Sequence, residues 1–549
     1  MSSWKTISRA SLLAALLGGT AAAQNPIEVE QLDALDPLEV SLTNRGLGDR
    51  LWAGSDRDMA EAVLTRLPGT DGPGYASEAL GDTARLILLT GGRPPAGGRG
   101  DARLAELRVD RLLAAGGPHD AFDLLERTPG IHRRPSLAVS HAELGFALGE
   151  TDRACQTANA LIENRDAPDW LRRRAFCLAM DGQGAAAELT AELARAGSED
   201  DDFDARLFAL TLGTPVADSV SAPDSGLDFA MSRYLVDPEA FMPDVADAAP
   251  AWLASLAHRP MYEPMPIEDG AAALDAALAL SGRERHHALE DLMARARDRE
   301  LAGQALGYLL SDETEAGRFI HVARHHGREI ETLPVTSATL EHGYDIALAA
   351  LIIGDLRSAA RWRDALIDGP PRRPGPAERV GQPILETADG QLVYADGTPV
   401  DAVEPQAEWE APSPRRMVAL DLSLAIARDA LGGGNFDAVL AAWLESQGDS
   451  ALGERLALAE LGAQLPDTPR LSVLGLDTMA GMPELAVMEM SQRADARAET
   501  AMLAVSLLNR PETSADPVAY SRAIAALDAA GLRGNALSLV LERVIARAR

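Results

Sequence analysis

Gly149-Glu150-Thr151-Asp152-Arg153-Ala154 is the stretch on which the fold turns. A glycine can end a helix in the left-handed conformation without steric cost. The polar residues after it favour a new helix start. Ala154 then falls in the first turn of that second helix, where a small side chain lets two antiparallel helices approach closely. The stretch therefore predicts a tight helical hairpin. The same Gly-x4-Ala pair recurs 33 residues upstream, at Gly116/Ala121, and 33 downstream, at Gly182/Ala187. It appears again at Gly354/Ala359, Gly433/Ala438 and Gly531/Ala536. Seven residues before each glycine stands an apolar residue: Val109, Ala142, Ala175, Ala347, Ile426 and Ile524. Asp152, Asp355 and Asn435 are the expected caps of the helices that follow.

A constant period of this length is the sign of stacked helical pairs. The segments Gly149–Ala154 and Gly354–Ala359 resemble the inter-helix turn of the tetratricopeptide-repeat superfamily. The resemblance covers residues 100–200 as a block, and 340–368, 415–446 and 517–547 as single hairpins. It implies an α-solenoid that binds other proteins. Composition agrees with the fold class, because Ala, Leu, Arg and Glu dominate and strand-forming aromatics are few. The expected class is all-α, an α-solenoid of helical hairpins with a small β-hairpin insertion. The expected blocks are 24–98 (helices and loops), 99–215 (repeats), 216–268 (irregular connector), 269–368 (repeats), 369–414 (insertion) and 415–549 (repeats).

The N-terminus reads as an export signal over residues 1–23. Lys5 and Arg9 give the positive region, Ser11 to Leu17 a short apolar run, and Ala21-Ala22-Ala23 a cleavage site. The expected location is the periplasm or the medium. No later apolar run is long enough to span a bilayer, so no stable membrane insertion is expected.

The formal net charge is −32. Such a surface repels nucleic-acid phosphates and anionic lipid headgroups, and it favours basic partners. Lys5 is the only lysine in the chain. Signal cleavage would leave no catalytic lysine, Schiff-base lysine or P-loop lysine.

The helical pattern breaks at Gly369-Pro370-Pro371-Arg372-Arg373-Pro374-Gly375-Pro376, which no helix tolerates. Beyond it, Asp389-Gly390 and Asp396-Gly397 flank a short β-like stretch around Leu392-Val393-Tyr394, a hairpin signal.

Cys155 and Cys177 fall on helices expected at 152–164 and 168–180, at similar heights along one hairpin. In an oxidising compartment they are expected to form a structural disulfide. The histidines cluster at His286-His287 and at His321, His325 and His326. His321 and His325 share a helix face, and with Glu329 or Asp312 they are the candidate metal ligands. Incidental surface histidines are the competing reading. The acidic run Glu199–Asp204 lacks the spacing of a calcium loop. There is no Gly-x-Ser-x-Gly elbow, no Gly-x-Gly-x-x-Gly loop and no His-Glu-x-x-His helix, so no cofactor is implied.

These readings point to a non-catalytic envelope scaffold or adaptor. Its partner would be a protein or peptide, of basic character if charge decides. The alternatives are a peptidoglycan-active enzyme carried on a helical superhelix, and a metal-binding periplasmic protein.

Overall fold

The computed structural model describes residues 35–215, 220–235, 245–246, 249–257, 267, 269–313, 316–370, 384–386, 392–394, 409–463 and 483–549. The expected signal segment lies outside these residues. From Asp36 onward the chain forms one compact unit. Among the described residues there are 27 α-helices and two short strands. None of these helices is long and apolar enough to cross a membrane.

The glycine signal is written into the backbone. Gly116, Gly149, Gly182, Gly354 and Gly531 all have positive φ, between 74° and 94°. Each sits in the same double hydrogen bond. At Gly149, its own N–H donates to Phe146 O at 3.2 Å and the N–H of Glu150 to Gly145 O at 2.8 Å. That pair of bonds satisfies carbonyls that a helix end leaves open. Ala121, Ala154, Ala187, Ala359 and Ala536 are fully buried, as are Ala142, Ala175, Ala347, Ile426 and Ile524. The approach is close: a methyl placed on Gly145 would lie 3.0 Å from the Ala154 Cβ.

The sixth pair behaves differently. Gly433 has φ −109° and is the N-cap of Gly434–Gln447, while Ala438 is exposed. Asp429, with φ 52°, takes the left-handed position instead, and the Ala430 N–H closes the turn on Ala425 O at 2.9 Å. Aspartate tolerates that conformation better than most residues. The expected caps are also only partly realised. Asp355 accepts hydrogen bonds from the N–H groups of Arg357 and Ser358. Asp152 and Asn435 lie inside their helices, because the tight turn places Glu150 and Gly433 at the cap positions.

In the first block the helices Ala102–Ala114, Pro135–Leu148, Pro168–Met180 and Asp201–Leu212 begin 33 residues apart. Between them run Pro118–Glu126, Thr151–Ala160 and Gly184–Arg195. Each helix packs on the next in sequence. Cys155 and Cys177 meet across this run with a Cα–Cα distance of 5.6 Å and form a disulfide. The insertion holds the paired strands Ile384–Glu386 and Leu392–Tyr394, antiparallel with Leu385 opposite Val393. Asp389-Gly390 and Asp396-Gly397 lie outside the described residues.

The two ends of the compact unit interlock. Arg57–Arg66 packs on Arg497–Leu508, and Glu78–Leu89 packs on both Arg497–Leu508 and Arg533–Ala548. The Ala498 N–H donates to Leu51 O at 3.2 Å, and the Ala79 N–H donates to Glu542 Oε1 at 3.0 Å. In a purely one-dimensional array each unit touches only its neighbours; these contacts join segments more than 400 residues apart.

Candidate functional site

Two features stand out on the helical frame. The first is a cluster of imidazoles around one carboxylate. On the helix Gly282–Arg295, Glu290 stands four residues from His286 and three from His287, so it is within reach of each. The helix Ala316–His325 ends in His325, and His326 caps the next helix, Gly327–Thr332. Both longer helices pack on Arg299–Asp312, and this brings the two histidine groups together.

Glu290 is the centre. Its Oε1 lies 3.3 Å from His286 Nε2 and 3.9 Å from His326 Nε2, and its Oε2 lies 3.5 Å from His287 Nδ1. One ligand atom each from Glu290, His325 and His326 falls within 4.8 Å of the others. The His325 and His326 rings stand nearly perpendicular, 4.7 Å apart. His286 also reaches Glu313 Oε1 at 3.5 Å through its Nδ1.

The electrostatics divide the group. Hydrogen bonding to Glu290 raises the pKa of His286, and the same contact holds Glu290 below the usual carboxylate range. Burial pushes His326 down to about 4, with the neighbouring His325 adding to the effect. A buried imidazole of that kind is neutral at pH 7 and keeps a free lone pair. His325 is exposed. A cleft of about 800 Å³ opens beside the cluster, lined by Arg285, His286, His287, Asp312, Glu313 and Arg318. A second, of about 670 Å³, reaches His325 alongside Asp82, Arg324 and Asn535.

The candidate ligands read from the sequence fall in different places. His325 is in the cluster. His321 turns to Glu78, its Nδ1 3.0 Å from Oε1, and that contact raises its pKa. Asp312 pairs with Arg285 at 2.7 Å, and Glu329 is exposed. The sequence reading did not include Glu290, the carboxylate at the centre of the cluster. Its spacing of four from His286 was the available signal, but nothing local says that His325 and His326 fold onto it.

The second feature is a set of exposed apolar side chains on two successive helices of the first block. Leu189 and Leu193 on Gly184–Arg195 are 62% and 58% exposed, and Phe208 and Leu212 on Asp201–Leu212 are 59% and 56% exposed. These are i,i+4 pairs, so each forms a short apolar row on its helix. The two helices run antiparallel, with Arg195 bonded to Asp204 at 2.7 Å near their shared turn. Asp181, Glu188, Glu192, Glu199 and Asp201 are exposed on and beside the same helices, against Arg195 as the exposed cation. Arg206 is buried on Asp228 at 3.1 Å and adds no surface charge.

No protein-family profile, no curated protein and no solved structure matches this chain.

Proposed function

We propose that this chain is a non-catalytic scaffold of the cell envelope that binds a basic, amphipathic segment of another protein. In this reading the helices between residues 102 and 212 are a tetratricopeptide-like solenoid block, and the export signal carries the chain out of the cytoplasm. The observation that carries the proposal is the pair of exposed apolar rows, Leu189/Leu193 and Phe208/Leu212, set among carboxylates. Large exposed side chains paired along a helix, as in each of these rows, mark interaction surfaces more often than isolated ones do. The occupant follows from the chemistry. Apolar side chains of a partner helix would cover the leucine and phenylalanine rows, and its Arg or Lys residues would meet the acidic rim. The rim charges would set the association rate and its salt dependence more than the affinity.

The test is site-specific photo-crosslinking in the producing cell. A photo-reactive residue at position 193 or 208 should give one discrete heteromeric adduct whose crosslinked peptide is cationic and amphipathic. The same residue at the exposed position 103 should give none. An adduct with a second copy of the chain, or a featureless smear at all positions, refutes the reading.

A further inference from the structure

The histidine–carboxylate cluster supports an inference independent of partner binding. We infer that Glu290, His325 and His326 form a binding site for one divalent transition-metal ion of the zinc type, with the fourth position open to solvent.

Three observations carry it. The donor set is two imidazoles and one carboxylate, a combination that suits zinc and its neighbours and does not suit calcium or magnesium. The three ligand atoms already lie within 4.8 Å of one another. Bonds of about 2.0–2.2 Å in tetrahedral geometry require separations of about 3.3 Å, so side-chain closure of roughly an ångström and a half completes the site. His325 is exposed and lines a cleft, which gives an ion access to the cluster from solvent through that side chain.

The surroundings fit as well. His286 and His287 stand 3.3 and 3.5 Å from the two oxygens of Glu290. They are positioning residues, holding the carboxylate as outer-shell partners hold metal ligands elsewhere. His321 is 73% exposed and occupied by Glu78, and it has no part in the site. The acidic surface raises the local concentration of any cation.

The experiment uses the untagged full chain, stripped with a chelator and titrated with zinc chloride by calorimetry and with cobalt(II) by visible absorption. The expected result is one equivalent bound, with the intense d–d bands of four-coordinate cobalt displaced by zinc. His325→Ala, at an exposed position that leaves packing intact, and Glu290→Gln should each weaken binding at least tenfold. His321→Ala should bind as the parent does. Circular dichroism confirms that each variant is folded. Absence of saturable binding, parent-like affinity in both Glu290→Gln and His325→Ala, or loss of binding in His321→Ala overturns the assignment.

Discussion

Arg108 is buried in the N-terminal part of the compact unit, and replacing it with methionine should cost about 4 kcal/mol of local stability. The side chain leaves the helix Ala102–Ala114 and is 4% exposed. Its Nε donates to Leu88 O at 2.7 Å, its Nη1 to Pro37 O at 2.9 Å, and its Nη2 to Val40 O at 2.8 Å and Thr90 O at 3.2 Å. One guanidinium thus ties the segment around residues 37–40 to the end of the helix Glu78–Leu89. Burial pulls its pKa down to about 10, with Asp36 opposing, so it stays charged at pH 7. Methionine keeps the stem and removes every donor. Four buried carbonyls lose a partner, at roughly 1 kcal/mol each, the low end of the usual penalty. Arg108→Lys keeps the charge but not the planar fork, and should lose about half as much. The measurement is the rate of protease cleavage within residues 36–46 under native conditions. A 4 kcal/mol loss raises the open population about 1000-fold. Arg103→Met on the same helix, at an arginine whose side chain is 54% exposed, should change it little. Cleavage of Arg108→Met within tenfold of the parent would refute the clamp.

Three further outcomes are expected. Ala154→Leu should destabilise the first helical block by about 2–3 kcal/mol, because its neighbour Gly145 leaves no room, while Ala438→Leu on the exposed face should be near neutral; chemical denaturation compares them. Reducing the Cys155–Cys177 bond, which spans 22 residues, should lower stability by about 3 kcal/mol, and a Cys155→Ala/Cys177→Ala chain should lose that sensitivity to reductant. His141 is bonded to Glu126 at 2.7 Å and Thr157 at 3.0 Å and stacked on Phe122, yet burial outweighs Glu126 and lowers its pKa. The folded chain therefore resists protonation that the unfolded chain accepts, and stability should fall as pH drops through about 6.5. Ring-proton NMR should place the His141 midpoint below that value, and His141→Gln should flatten the slope there.

The hairpin turns were readable because their physics is local. A helix that ends on Gly149 needs positive φ at one residue, and an alanine four positions into the next helix needs only a close neighbour. The rule failed at Gly433 because Asp429 can meet the same backbone demand four residues earlier. The cysteine pair was readable for a similar reason, since both residues sit on one short hairpin. The histidine cluster was half readable as a spatial grouping. Helical spacing put His321 and His325 on one face, but which imidazole meets a carboxylate depends on Glu290 from a separate helix and Glu78 from another. Nothing in the local pattern of residues 78–89 tells that they pack on 533–548; that pairing is decided by the tertiary arrangement.

The interlocked ends constrain the order of assembly. The helices Arg57–Arg66 and Glu78–Leu89 cannot complete their apolar surroundings until Arg497–Leu508 and Arg533–Ala548 arrive. Closing so long a loop is entropically slow, so the earliest-made helices should be among the last to become protected during refolding. Removing the final helix should expose apolar surface on Glu78–Leu89 and turn a distant truncation into an aggregation defect near the other terminus.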